Sequence, residues 1–433
     1  MNYKVIGGKK LFGAVQTNTS KNAAVVLLAA SLLNRGTTIL KHMPKIEEVK
    51  RLIEVLESIG VQVEWNENGD ITITPGVINL SYINKVSAGK TRSIALFVAP
   101  LAHLLTSFNL PAPTGCDLGK RSLGAHVDAL ERLGITLQGD EEKKSYHVEA
   151  ISKHSAEIVM YEASDTGTEN VLMAAAKIPG TTIIKYASAN YQVQDLCGFL
   201  EKCGVRIEGV GTTTLKVHGV EDINATVVYA PSEDPIESMF FISLAVTTDS
   251  ELVIERCPID FLELELLTLE HMGLDYFRGK DYMAENGSAR LCDITVRRSK
   301  LHAPPEKIAP RPYPGINIDN LPFFVPIATQ ANGKTLIHDW VYEGRAKHYM
   351  EMTKLGAKME LIDTHRVEVE GPTKLHAVDI KAPPALRPAT IILIGMLAAE
   401  GESILRDVYP INRGYERLHE RLTKLGASVE AVE

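Results

Sequence analysis

Ile46-Glu-Glu-Val-Lys-Arg-Leu-Ile-Glu-Val-Leu-Glu-Ser-Ile-Gly60-Val-Gln-Val-Glu-Trp-Asn-Glu-Asn-Gly-Asp70-Ile-Thr-Ile-Thr74 is the stretch from which the architecture can be read. Ile46, Val49, Leu52, Ile53 and Leu56 recur at helical spacing, so one face of a helix is apolar. Gly60 follows as a C-terminal cap. Val61–Trp65 then alternates as a strand, Glu67–Asp70 turns, and Ile71–Thr74 returns as the second arm of a hairpin.

The phrase recurs. An apolar residue, Gly and another apolar residue close a helix-like segment at Ile59-Gly60-Val61, Leu133-Gly134-Ile135, Cys203-Gly204-Val205, Met272-Gly273-Leu274, Leu355-Gly356-Ala357 and Leu425-Gly426-Ala427. The spacing is roughly 70–80 residues, that of a repeated supersecondary unit. Upstream phrases such as Gly36-Thr-Thr-Ile-Leu, Gly180-Thr-Thr-Ile-Ile, Gly333-Lys-Thr-Leu-Ile and Gly401-Glu-Ser-Ile-Leu add a strand to the unit. A further helix is apolar all round in Asn22–Leu33, Ile94–Leu105, Asn170–Lys177 and Thr390–Glu400, and such a helix must be buried. The expected fold is α/β, with six units in two domains of three, each packed around buried inner helices.

Tyr229-Ala-Pro-Ser-Glu-Asp-Pro235 is a polar break after the third unit. The strand Tyr3–Ile6 has no partner in the first unit and is expected to complete the sheet of the second domain. The domains are therefore expected at residues 22–231 and at residues 1–21 with 232–433. Two crossings, near Asn18–Asn22 and Pro231, make a hinge, and a cleft between domains is the default ligand site.

The 433 residues are 45% apolar and 23% charged, with a net charge of −8. A net acidic chain is a poor nucleic-acid ligand, so any anion site must be a local cluster of cations. Five cysteines, Cys116, Cys197, Cys203, Cys257 and Cys292, show no zinc or redox spacing and read as reduced thiols of the cytoplasm. No secretory leader and no membrane-spanning apolar run is visible. The sequence has no phosphate-loop, nucleophile-elbow or H-E-x-x-H pattern, so no metal, dinucleotide or other cofactor is expected.

Chemistry concentrates at unit junctions. Pro111–His126 is rich in Pro and Gly and reads as a loop, with Cys116 near Lys120 and Arg121. Nearby cations favour the thiolate, and they can also hold an anion. Lys21-Asn22 and Arg92 each precede an apolar helix. Asp319, Arg345, Arg387 and Arg413 lie at junctions in the second half. Several cations at equivalent junctions suggest convergence on one cleft.

Taken together, these residues resemble the UDP-N-acetylglucosamine 1-carboxyvinyltransferases of the enolpyruvyl transferase family. The resemblance rests on Lys21-Asn22 before an Ala-rich helix, Gly115-Cys116 with Arg121, Thr168-Glu169-Asn170, and Arg413-Gly-Tyr-Glu-Arg417, and it runs the whole chain. It implies the two-domain, six-unit fold and a reaction. The enolpyruvyl group of phosphoenolpyruvate passes to the 3-hydroxyl of UDP-N-acetylglucosamine, phosphate leaves, and the product enters peptidoglycan synthesis. Both substrates are small molecules; no nucleic acid or membrane partner is implied.

The resemblance also implies roles. Lys21, Asn22, Arg121 and Arg413 hold phosphoenolpyruvate. Asp319 is the base near the sugar hydroxyl, and Cys116 is a general acid on a mobile loop and the target of fosfomycin. Arg92, Arg121, Ser122, Leu123, Gly124 and Ala125 fall where the family binds the nucleotide sugar, as do Ala163, Ser164, Asp165, Thr166, Asp319 and Val341. Arg345 and Arg387 match further active-site arginines. The chain departs from the family at Thr19-Ser20 (usually Gly-Ala), Ser122–Ala125 (usually Pro-Val-Asp-Leu), Asn190-Tyr191-Gln192 (often Glu-Pro-Glu) and Ala385 (usually Asp). Transfer to another nucleotide or nucleotide-sugar acceptor is the alternative. Non-catalytic binding of a nucleotide sugar is a further one, against which the thiol and the clamp residues speak.

Overall fold

The computed structural model describes residues 1–112, 123–140 and 142–433; the segment 113–122, with Cys116, Lys120, Arg121 and Ser122, lies outside the described residues. The opening stretch folds as read. A helix Glu47–Ser58 buries Val49, Leu52, Ile53, Val55 and Leu56, and the hairpin Gln62–Trp65 and Ile71–Thr74 follows in antiparallel register. Gly60 has φ +105°, and a Cβ there would meet the Val77 carbonyl oxygen at 2.5 Å. Both conformation and space therefore demand glycine. The equivalent glycines of the other five units share this left-handed conformation, so the repeat seen in sequence is a repeat of backbone geometry.

Among the described residues the strands form six sheets. Three draw on residues 38–229. The other three draw on residues 2–16 and 252–432. The strand Asn2–Gly7 lies between Gly401–Arg406 and Ser428–Val432, antiparallel to both. Ala14–Gln16 joins Leu252–Pro258 in parallel. Val227–Tyr229 returns to pair in parallel with Thr38–Leu40, so the last strand of the first half closes onto its first unit. Two apolar cores result, one drawn from residues 24–229 and one from residues 3–15 and 236–429 with Tyr191 inserted.

The apolar helices are the centres of these cores. Lys21–Ala30 buries every residue from Ala23 to Ala30. Asp165–Ala176, Pro235–Thr247 and Leu386–Ala398 are nearly as enclosed. Each fully buried Leu, Ile or Phe contributes roughly 1.5–3 kcal/mol, which outweighs any single cap. One expected helix is shorter than read. Ile94–Leu105 divides into a 3₁₀ segment Arg92–Phe97 and a short helix Val98–Ala102. Pro100, lacking an N–H, limits regular helix here.

The two crossings pair with each other. Ser20 donates its backbone N–H to the Ser232 carbonyl at 2.8 Å, and Asp234 donates to the Asn18 carbonyl at 2.8 Å. The break read as polar is in fact buried: Ser232, Glu233 and Asp234 are each below a tenth exposed. Most of their polar atoms are paired, Glu233 Oε2 being an exception among the described residues. Asp234 caps the helix Pro235–Thr247, and Glu233 pairs with Arg256. These pairings support boundaries at residues 22–231 and at residues 1–21 with 232–433, which we propose as the domains. No helix among the described residues is long and apolar enough to cross a membrane.

Candidate active site

A cleft of about 800 Å³ runs between the two halves. Its lining brings together Lys21, Asn22, Arg92, Leu123, Gly124, Ala125, Ala163, Ser164, Asp165, Thr166, Asp319, Val341, Arg345, Arg387 and Arg413. Every candidate residue within the described segments therefore faces one cavity, although the positions span most of the chain. Cys116, Arg121 and Ser122 lie outside the described residues. Among the described residues no group of three His, Cys, Asp or Glu side chains is placed to hold a metal ion.

One wall is cationic. Lys21 opens the helix Lys21–Ala30, capped by Ser20, whose hydroxyl accepts from the Ala23 N–H at 3.2 Å. The Lys21 ammonium donates to Asn22 Oδ1 at 2.9 Å, and Asn22 Nδ2 donates to the Tyr191 hydroxyl at 2.9 Å. Burial lowers the Lys21 pKa, and the nearby Arg387 and Arg413 lower it further against the pull of Glu48 and Asp319. A buried cation beside two guanidiniums is a site at which an anion relieves both repulsion and desolvation.

Arg413 reaches this wall from the second half. Its Nη2 and Nε donate to Glu48 Oε2 at 2.8 and 3.2 Å. Glu48 lies in the first turn of the helix Glu47–Ser58 and also accepts from Ser93 and Thr91. Burial pushes its carboxyl up, but Lys21 and Arg413 outweigh that and hold it below the ordinary range. Glu48 thus fixes the guanidinium across the interface between the halves. Glu48 is not among the apolar positions of the helical repeat, and nothing in the local pattern marks it.

The opposite wall carries Asp319. Its carboxylate lies 3.3 Å from Arg387 Nη2 and 3.6 Å from Arg345 Nη1. Arg345 is fully buried. It donates to Asp339 Oδ2 at 2.5 Å and to the Ile318 carbonyl at 2.7 Å, so it braces the loop that carries Asp319. The Tyr349 hydroxyl donates to the same Asp339 oxygen at 2.5 Å. Removing one partner of a buried pair leaves an uncompensated charge, at about 3–5 kcal/mol. Asp339→Ala is therefore expected to lower unfolding stability by about that much in urea titration. A loss below about 1 kcal/mol would show that Arg345 is adequately held by Asp319 and the Ile318 carbonyl.

The third wall is the start of the helix Asp165–Ala176. Ser164 caps it, accepting from the Gly167 N–H at 3.2 Å. Asp165 does not offer a free carboxylate; it accepts from Ser188 at 2.5 Å and Asn190 at 3.0 Å. Burial raises its pKa. His126 accepts at Nδ1 from Asn170 Nδ2 at 3.0 Å, which leaves Nε2–H to donate to Thr166 at 3.1 Å. Burial, helped by Arg92, lowers its pKa to about 4, so the ring is neutral.

Glu169, Gln192, Phe261 and Trp340 also line the cleft and were not singled out as site residues. Tyr191, noted in the sequence only as a departure, crosses from the first half into the second core, where its ring meets Phe261 edge-on at 5.7 Å.

The family model described as EPSP synthase (3-phosphoshikimate 1-carboxyvinyltransferase) matches residues 5–422. A UDP-N-acetylglucosamine 1-carboxyvinyltransferase of Thermobifida fusca is 32% identical, the match covering 99% of this chain and 97% of that one. One from Treponema denticola is 33% identical over 100% and 99%. Among solved structures, the enolpyruvyl transferase NikO from Streptomyces tendae superposes with a TM-score of 0.85 at 24% identity, covering 99% of this chain and 98% of that one. EPSP synthase from Acinetobacter baumannii gives 0.74 at 17% identity, covering 99% and 100%. At those identities the structural likeness speaks to the fold alone. With a family model matched over nearly its full length and relatives above 30% identity end to end, the chain belongs to the EPSP synthase (3-phosphoshikimate 1-carboxyvinyltransferase) family of enolpyruvyl transferases.

Proposed function

We propose that this chain transfers the enolpyruvyl group of phosphoenolpyruvate to the 3-hydroxyl of UDP-N-acetylglucosamine, with release of phosphate, as the first committed step of peptidoglycan synthesis. The observation that carries this reading is the convergence of Lys21, Arg387 and Arg413 with Asp319 on one cleft. The names of full-length relatives support the acceptor.

Lys21, Asn22, Arg121 and Arg413 hold the donor. Fixed cations aimed at a phosphate and a carboxylate stabilise charge that moves during transfer, with no reorganisation at the moment of reaction. Cys116 gives a proton to the methylene carbon of the donor, which makes the neighbouring carbon electrophilic. Asp319 takes the acceptor hydroxyl proton as the oxygen bonds to that carbon. Elimination then breaks the carbon–oxygen bond to phosphate and returns the methylene proton, leaving an enol ether. Arg92, Arg121, the segments Ser122–Ala125 and Ala163–Thr166, and Val341 hold the nucleotide sugar. Arg345 and Arg387 set the position of Asp319. The protein works in the cytoplasm, where reduced thiols persist.

A second reading has one observation in its favour. The helix Gly124–Glu131 starts with Gly124 and Ala125 in the cleft lining, with no carboxylate from that segment. That leaves transfer to another nucleotide or nucleotide sugar as the competing assignment. Phosphate release measured with each substrate alone and with both together tests the transferase reading. Release requiring both is expected; release from phosphoenolpyruvate alone, or none at all, would refute it.

A further inference from the structure

The triplet Thr168-Glu169-Asn170 contains one side chain whose position has no explanation in the fold. Its two neighbours are fully used. Thr168 Oγ1 accepts from the Ser188 N–H at 2.9 Å. Asn170 donates to the Ala95 carbonyl at 2.9 Å and accepts from the Ala99 N–H at 3.3 Å. These bonds tie the first turns of the helix Asp165–Ala176 to two separate segments and fix its rotation. Glu169, between them, is turned into the cleft lining while only 1% exposed.

Glu169 Oε1 has no hydrogen-bond partner among the described residues. Neither has Oε1 of Gln192, which is 5% exposed and lines the same cleft. Buried polar oxygens are nearly always paired, and an orphan in a native site calls for a reason. Here two acceptors stand side by side, with Gln192 within hydrogen-bonding contact of the Glu169 carboxyl. Lys21 is near enough to act on Glu169 through space, so the pair lies toward the reacting end of the cleft. Burial, reinforced by Asp165, pushes the Glu169 carboxyl up to about 8. A neutral carboxyl both accepts and donates, and it does not repel an anionic donor nearby.

We infer that Glu169 and Gln192 form a polar subsite that takes hydroxyl groups of the acceptor's sugar, placing that sugar between Lys21 and Asp319. The inference rests on the transferase reading with a sugar-bearing acceptor and extends it to two residues without an assigned role.

The test compares Glu169→Ala and Glu169→Gln with the unaltered chain, by steady-state kinetics and by calorimetric binding of UDP-N-acetylglucosamine and of UDP. In Glu169→Ala, the KM for UDP-N-acetylglucosamine should rise about ten-fold, the size of one lost polar contact. The KM for phosphoenolpyruvate and the Kd for UDP should stay within about three-fold. Glu169→Gln, which keeps one acceptor and one donor, should recover most of the loss. Glu169→Ala should also melt at or above the unaltered chain, since a buried orphan is removed. An unchanged acceptor KM in an active Glu169→Ala overturns the inference, as does an equal rise for phosphoenolpyruvate or UDP. A fall in melting temperature with the kinetics unmoved makes Glu169 structural and also overturns it. If the unaltered chain does not turn over UDP-N-acetylglucosamine at all, the transferase reading itself fails.

Discussion

Cys116→Ser is expected to lose most turnover, while Cys116→Asp retains activity and escapes alkylation by an epoxide phosphonate such as fosfomycin. The proposed role of this side chain is to give a proton to carbon. A thiol near neutral pKa does so readily and a carboxylic acid can substitute, but a serine hydroxyl is far too weak an acid. The sequence places Lys120 and Arg121 four and five positions after Cys116, and cations beside a thiol favour the thiolate, the form that alkylating agents attack. The four cysteines within the described residues are buried. Burial pushes Cys203 up to about 12 and Cys292 up to about 11, and raises Cys197 and Cys257 as well. At neutral pH a thiol with a pKa near 11 is ionised to only about one part in ten thousand. Mass spectrometry of the treated protein should find one adduct, on Cys116, formed faster when the acceptor is bound. An adduct on Cys197, Cys203, Cys257 or Cys292, or full activity in Cys116→Ser, would remove Cys116 from the proposed mechanism.

Arg413→Ala is the second large effect. It removes one arm of the donor clamp, and hydrogen bonds to charged groups contribute about 1.5–3 kcal/mol. The KM for phosphoenolpyruvate is therefore expected to rise roughly 10- to 100-fold, with the acceptor KM within about three-fold. Arg413 also compensates Glu48 at 2.8 Å. Glu48 keeps Ser93 and Thr91 as hydrogen-bond donors and Lys21 as a neighbouring charge, so a folded variant is expected. Circular dichroism would check this before kinetics. Equal losses for both substrates would mean that Arg413 serves the interface between the halves and not the donor.

The repeat was legible because it is written in backbone requirements. Gly60 and its five equivalents need a left-handed conformation, and the helix before Gly60 shows its apolar stripe. The all-apolar helices were legible for the same reason, as segments with no face to give to water. Convergence of Lys21, Arg92, Asp319, Arg345, Arg387 and Arg413 was readable only as a tendency of charged residues to sit at junctions. Which charges meet was not readable. Glu48 stands outside the apolar stripe of its helix, yet it is 3% exposed, with Arg413, some 365 positions away, docked on it. Asp165 lines the cleft as expected of a site residue, and its carboxylate also accepts from Ser188 and Asn190, which no local window shows. The residues 230–234 read as a polar break, but they are buried, and backbone hydrogen bonds to Asn18 and Ser20 pair the two crossings. In each case the partner is distant in sequence and absent from any local window.

The most direct test of the account is to incubate the protein with phosphoenolpyruvate and a panel of UDP-N-acetylglucosamine, UDP-glucose, UDP and UMP, and to identify the product by mass and proton NMR. The account predicts phosphate release with UDP-N-acetylglucosamine, matched mole for mole by an enol ether on its sugar 3-hydroxyl, and little release with the others. Release only with another member of the panel, or an enol ether at another hydroxyl, would contradict it.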